Sequence, residues 1–439
     1  MKSLLRCWMV VELVAGWALA GGARIIPSSE DGWPQWRGPR RDGICNETGL
    51  LDRWPEGGPR LIWKTTGIGR GYSAPIVVRD TIYITGDVGD ELRISALDLD
   101  GRLKWRTTNG RAWKRSFRGS RAACTFDQGR LYHLNAHGRL ACLDASDGKE
   151  LWAVNIVERF GGKVIFWGLS EAPLIYQDKV IATAGGEKGL VVALDKRTGA
   201  TIWASRPLRY QRTHAFGRGP LPKPRPETAR ASYASPILVE LGGKHLVIGC
   251  ASEQLYCVDA DTGELYWSQP MPTRWEVLAV TPALWRDAVF VTGPHGEGGK
   301  MFRIVVQGDQ VRAQELWRTT LDTCHGGVVV VGDRIFGSWY RSGRGWGCLD
   351  ARTGRVLYRT EALTMGSVLW AEGLLYCLSQ RGEMALLKPT ESAFEFRGRF
   401  RLTDGRRADV WTHPVIAGRR LYLRYHDTLW CYDIARPAP

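Results

Sequence analysis

His133 and His137 stand four residues apart, the spacing at which two imidazoles on one helix face share a zinc ion. Here they flank Asn135-Ala136 in a stretch of hairpin character, so solvated turn residues are expected instead. Gly296, Gly298 and Gly299 make a glycine-rich loop of the phosphate-cradling kind, but neither a Lys-Ser/Thr pair nor a helical pattern follows it. The ten cysteines include no CxxC pair and no His/Cys spacing suited to zinc. Cys142, Cys257, Cys348 and Cys431 recur just before a hydrophobic-Asp pair and are expected to be small core residues of separate repeats. No carboxylate set stands at separations that imply calcium, and no nucleophile-base pair emerges, so no catalytic residue and no metal ligand is assigned.

The elements that could position such groups come from one recurring unit. It runs from small residues through an apolar strand, a turn, a second apolar strand, a hydrophobic-Asp pair and a Gly turn to a strand bearing an aromatic residue. One copy reads Ala122-Ala123-Cys124, Gly129-Arg130-Leu131-Tyr132, Leu140-Ala141-Cys142-Leu143-Asp144, Asp147-Gly148 and Leu151-Trp152. The strand-ending aromatics are Trp63, Trp105, Trp152, Trp203, Trp267, Trp317, Tyr358 and Phe400, which accounts for part of the excess of 20 Trp. Short runs bounded by Gly, Asp and Asn are hairpin grammar, and no sustained helical period appears. The expected fold is all-β, an eight-bladed β-propeller of four-stranded blades. The last copy ends at Asp433 without its aromatic strand, whereas Leu61-Ile62-Trp63-Lys64 is such a strand with no blade before it. The N-terminal strand is therefore expected to complete the last blade, which leaves no frayed edge. The fifth and seventh copies are worn, with Ile304-Val305-Val306 and Ala385-Leu386-Leu387 where Asp is expected.

Lys2 and Arg6 precede an apolar run from Cys7 that ends in Ala18-Leu19-Ala20, so residues 1–23 are read as a signal peptide. Residues 24–60 form an N-terminal segment and residues 61–436 the ring. An exported, soluble protein of the periplasm or cell surface of a Gram-negative-type bacterium is expected.

In a ring of blades the first strand of each lies innermost, so residues just before it gather round the axis on one face. These are Tyr72, Arg118, Trp167, Glu171, Tyr233, Trp275, Glu276, His325, Trp411 and His413. Aromatic, cationic and acidic groups together suit a carbohydrate, quinone or peptide pocket. An insertion over residues 206–230 carries Arg209, Arg212, Arg218, Lys223 and Arg225 among Pro207, Pro220, Pro222, Pro224 and Pro226. It is expected to be an extended loop and not regular sheet, forming with Arg115 a basic rim. The formal charge of +15 attracts anionic surfaces. The expected partners are an envelope protein, an anionic polysaccharide or a membrane surface, with no nucleic acid and a monomeric chain.

The repeats Ala193-Leu194-Asp195 through Thr198-Gly199 to Trp203, Cys257-Val258-Asp259 through Thr262-Gly263 to Trp267, and Cys348-Leu349-Asp350 through Thr353-Gly354 resemble those of the pyrroloquinoline-quinone-like (PQQ-like) propellers. Trp33-Pro34-Gln35-Trp36-Arg37-Gly38-Pro39, followed by Arg41-Asp42-Gly43, is similar to the leading segment of exported bacterial propellers of this type. The resemblance implies one of two roles. Quinoprotein dehydrogenases hold PQQ and calcium over the axis and oxidise alcohols or sugars, whereas relatives such as the propeller lipoprotein of the outer-membrane β-barrel assembly machine bind proteins. A dehydrogenase would show an adjacent cysteine pair and long insertions roofing the cofactor; this sequence has neither. The leading expectation is thus a non-catalytic binding or assembly scaffold of the cell envelope without a cofactor. A PQQ-dependent oxidoreductase, with PQQ and calcium, is the first alternative, and a polysaccharide-binding or sensing propeller the second.

Overall fold

The Leu-Asp-x-x-Thr-Gly-x-x-x-Trp pattern encodes a joint between blades. In the third blade the Asp195 carboxylate accepts the N–H groups of Arg197 and Thr198, closing the turn. Gly199 then takes φ +74°, and a side chain there would strike the ring of Trp152 from the preceding blade. The Trp152 indole lies on this turn and donates Nε1–H to the Lys196 carbonyl at 3.2 Å. Trp63, Trp105 and Trp317 make the same bond to Leu99, Ala145 and Ala351. Each motif therefore folds its own hairpin and seats its neighbour's tryptophan.

The computed structural model describes residues 22–437, so most of the segment read as a signal peptide lies outside the described residues. Eight four-stranded antiparallel blades form the ring, two of them extended by a short fifth strand. The inner strands are Ile76–Val78, Thr125–Asp127, Leu174–Tyr176, Ile237–Leu241, Ala283–Trp285, Val329–Val331, Gly366–Ala371 and Val415–Ala417. Arg60–Thr66 pairs antiparallel with Thr428–Asp433 and closes the eighth blade. The apolar core lies between neighbouring sheets, and all nine described cysteines are buried and free.

The worn copies are full blades. In the fifth, Gly298–Gln307 and Gln310–Thr319 run on as one long hairpin where the unworn copies turn at Asp. In the seventh, Phe400 lies against the Gly58 turn of the next blade as the other aromatics lie against theirs, but its ladder register differs. Every other blade pairs its aromatic with the third strand immediately beside a bulge, and the residue in that register is Gly398, not Phe400. Trp54 from the N-terminal segment fills the space, its Cβ so close that a side chain on Gly398 would overlap it, with Phe400 5.5 Å away edge-on.

Two further expectations are corrected. Residues within 206–230 do form sheet: Arg209–Ala215 pairs antiparallel with Gly219–Thr228. Pro220, Pro222, Pro224 and Pro226 share one parity, so they strip donors from one side of the strand only, and Pro222 and Pro224 fall in the unpaired bulge. His133 is not a solvated turn residue. It is fully buried, with Asn109 Nδ2 at 2.8 Å from its Nδ1.

The N-terminal segment crosses one face of the ring. Arg24–Ile25 pairs with the inner strand of blade four, Pro34 accepts from Phe126 in blade two, Trp33 bridges Val77 in blade one, and Ile44–Cys45 pairs parallel with blade seven. Between these anchors residues 33–43 pass through the axis.

Candidate functional site

The stretch through the axis carries two arginines into the protein interior. Arg41 is 2% exposed and donates to Gln35 Oε1 at 2.8 Å, to the Ala172 carbonyl at 3.0 Å, and to the Pro173 and Pro236 carbonyls of blades three and four. Arg37 donates to the carbonyls of Asp42 and Val328 and to His413 Nδ1 at 3.2 Å. Burial lowers the Arg41 guanidinium to about 9 and that of Arg37 to about 10, so both stay charged at neutral pH. Trp36 donates Nε1–H to Thr281 Oγ1 at 2.9 Å and lies 4.6 Å from the His413 ring. The channel is thereby closed from one face.

Above Trp36 lies a cavity of about 620 Å³. Its belt follows a register rule. Tyr72, Arg121, Ser170, Tyr233, Ala279, His325 and Trp411 each stand four residues ahead of the first residue of their inner strand, and all line the cavity. Trp167 and Trp275, farther upstream, also line it. The turns between second and third strands of blades five and six add His295, Tyr340 and Arg341, while Arg274 joins from the approach to blade five.

Of the ten axial residues read from the sequence, Tyr72, Trp167, Tyr233, Trp275, His325 and Trp411 meet at this cavity. The other four lie elsewhere. Glu171, one residue past the belt position, turns between blades and accepts from Thr183 N–H; burial raises it to about 7. Glu276 is buried under the hairpin, where it pairs with Arg212 and Arg230. His413 lies below the belt, Nε2 toward the His325 carbonyl at 2.8 Å, and desolvation followed by repulsion from Arg37 lowers it to about 3. Arg118 is exposed outside, and Arg121 occupies the belt in its stead.

Of the rim residues, Arg115, Arg209, Arg218, Lys223 and Arg225 are exposed, whereas Arg212 is buried in its pairs with Glu227 and Glu276. These pairs hold the hairpin base. Its tip seats Phe216 5.3 Å from Trp275 and 5.8 Å from Trp167, and Gly217 exchanges hydrogen bonds with Arg274. The hairpin and the loop carrying Arg115 and Phe117 thus flank one cavity mouth.

Asp322 fixes the opposite wall. Fully buried, it accepts backbone N–H groups from Gly296, Tyr340, Arg341 and Ser342. The glycine-rich loop therefore serves to present His295, not to cradle phosphate.

No lining residue is a carboxylate. Desolvation holds His295 and His325 down at about 4, so both are neutral at pH 7, and it pushes the Cys324 thiol up, away from the thiolate. The lining arginines suit the carboxylates of PQQ, but the donor set offers nothing to a calcium or lanthanide ion beside it. The residues do not fit that cofactor-metal pair.

A family model described as outer membrane protein assembly factor BamB matches residues 91–356. In sequence, the chain is 31% identical over 160 residues to a lanthanide-dependent methanol dehydrogenase of Methylacidiphilum fumariolicum, covering 33% of this chain and 25% of that protein. It is 28% identical over 167 residues to a 1-butanol dehydrogenase (quinone) of Thauera butanivorans, covering 36% and 25%. The chain spans about a quarter of the length of these curated relatives. In structure, BamB from Moraxella catarrhalis superposes with a TM-score of 0.57 at 14% identity, covering 86% of this chain and 98% of that one. Quinohemoprotein alcohol dehydrogenase from Comamonas testosteroni gives 0.59 at 11% identity, covering 93% and 81%. At such identities the likeness shows the fold alone.

Proposed function

The chain belongs to the family described as outer membrane protein assembly factor BamB, and from that premise we propose that it is a non-catalytic binding propeller of the cell envelope. Its axial cavity receives a ligand group, and the basic rim docks an anionic envelope protein. The carrying observation is the cavity's chemistry: aromatic rings, neutral histidines and arginines converge there with no carboxylate to serve as base or hold a cation. Relatives named as alcohol dehydrogenases keep the oxidoreductase reading as the alternative.

Among the described residues Arg115, Arg218 and Lys223 form no ion pair, so their field is uncompensated at the mouth. Such charges act mainly on encounter rate. Changing Arg115, Arg218, Lys223 and Arg225 to glutamate is expected to cut association with a detergent extract of envelope proteins about tenfold or more at low salt. The difference should shrink as ionic strength rises. Biosensor kinetics on immobilised full-length chain check this, and association unchanged by the four substitutions at low salt would remove the docking role of the rim.

A further inference from the structure

The free donors of charged groups lie at one end of the cavity. Its floor consists of Trp36, Val277 and Cys324, its belt is mostly aromatic residues with the neutral His325, and its mouth carries Arg274 and Arg341. Arg121 also lines the cavity and stays charged, but its donors are spent on the carbonyls of Trp167, Gly119, Ser116 and Phe117, so it offers none to a ligand. Arg274 and Arg341 are exposed and pair with no carboxylate among the described residues. Each guanidinium lies over an aromatic ring, Trp275 at 5.7 Å and Tyr340 at 5.3 Å, which holds it beside the opening. A ligand matched to this gradient carries its apolar part first and leaves one anionic group outside.

The rings say what the apolar part is. Trp411 is stacked by His325 at 4.3 Å and by Tyr72 at 5.1 Å, and Trp275 is covered by Arg274 and by Gly217. These large rings therefore turn edges to the cavity more than faces. Aromatic edges carry positive partial charge and prefer the negative face of another ring. A sugar would need free ring faces on which to stack. A volume of about 620 Å³ is within the range of pockets that enclose ligands of several rings.

We propose that the cavity binds an aromatic carboxylate, ring toward Trp36 and carboxylate on Arg274 and Arg341. The inference rests on the reading of the cavity as a binding site. Calorimetric titration of the full chain with 2-naphthoate, 2-naphthylmethanol, dodecanoate and benzene-1,3,5-tricarboxylate tests it. The naphthoate is expected to bind about tenfold or more tightly than the neutral alcohol, the value of a charge-assisted hydrogen bond pair. Combining Arg274→Gln with Arg341→Gln should reduce naphthoate affinity to that of the alcohol. Equal binding of acid and alcohol, or a preference that survives the double substitution, overturns the role of the mouth. Tighter binding of dodecanoate overturns the aromatic class, and tighter binding of the tricarboxylate overturns the single-ended orientation. If no probe binds, or if binding persists with the cavity filled by Ala279→Trp, the cavity reading itself fails.

Discussion

Replacing Arg41 with methionine is expected to lower the free energy of unfolding by about 3–5 kcal/mol, the cost of leaving several buried acceptors without their charged donor. Methionine fills the apolar stem as far as Nε but supplies no donors. Gln35 Oε1 and the carbonyls of Ala172 and Pro236 would then lose this donor inside the protein, while the Pro173 carbonyl would keep only Thr125 Oγ1. Those carbonyls belong to blades three and four, so the loss falls on the joint between the N-terminal segment and the ring. Lysine should rescue little, since one ammonium cannot reproduce a planar fork that serves four acceptors. Urea unfolding with a reduced midpoint and an unchanged slope checks this. A loss below about 1 kcal/mol would mean that residues 33–43 lie on the ring without locking it.

Asp322→Ala is expected to cost about 2–4 kcal/mol and to open one wall of the cavity. One carboxylate accepts four backbone N–H groups there, and hydrogen bonds to a charged acceptor are the stronger kind. Arg341 and Ser342 are exposed, so water replaces part of what is lost, and the figure stays below the sum of four bonds. Amide hydrogen exchange should accelerate at Tyr340, Arg341 and Ser342 well before global unfolding. Protection unchanged at these amides would show that the loop is held by its ring contacts alone.

The ring was legible because the repeated residues are themselves the contacts that join blades. Asp195, Gly199 and Trp152 can be read as a unit, since a turn, a left-handed glycine and a plug each require one residue type. In the seventh blade Phe400 was legible and lies on the Gly58 turn, whereas Trp54 beside Gly398 escaped because it comes from another part of the chain. The hairpin over Arg209–Thr228 escaped because proline density was read as a break, whereas same-parity prolines spare the other side of a strand. Within the site, a fixed offset of four residues before seven of the eight inner strands separates belt residues such as Tyr72 and Arg121 from Glu171 and Arg118. Alternation of side chains across an extended segment is the physical cause. His295, Tyr340 and Arg341 sit in turns of variable length and Trp36 arrives from across the ring, so no offset within the repeat finds them.

Binding without turnover is tested most directly by supplying what a dehydrogenase would need. The full chain is incubated with PQQ and calcium, and separately with PQQ and a lanthanide ion, then given methanol or 1-butanol and an electron-accepting dye. A binding propeller gives no alcohol-dependent dye reduction above the protein-free control. Dye reduction that saturates with alcohol, requires both PQQ and the metal, and is lost on Ala279→Trp would contradict it.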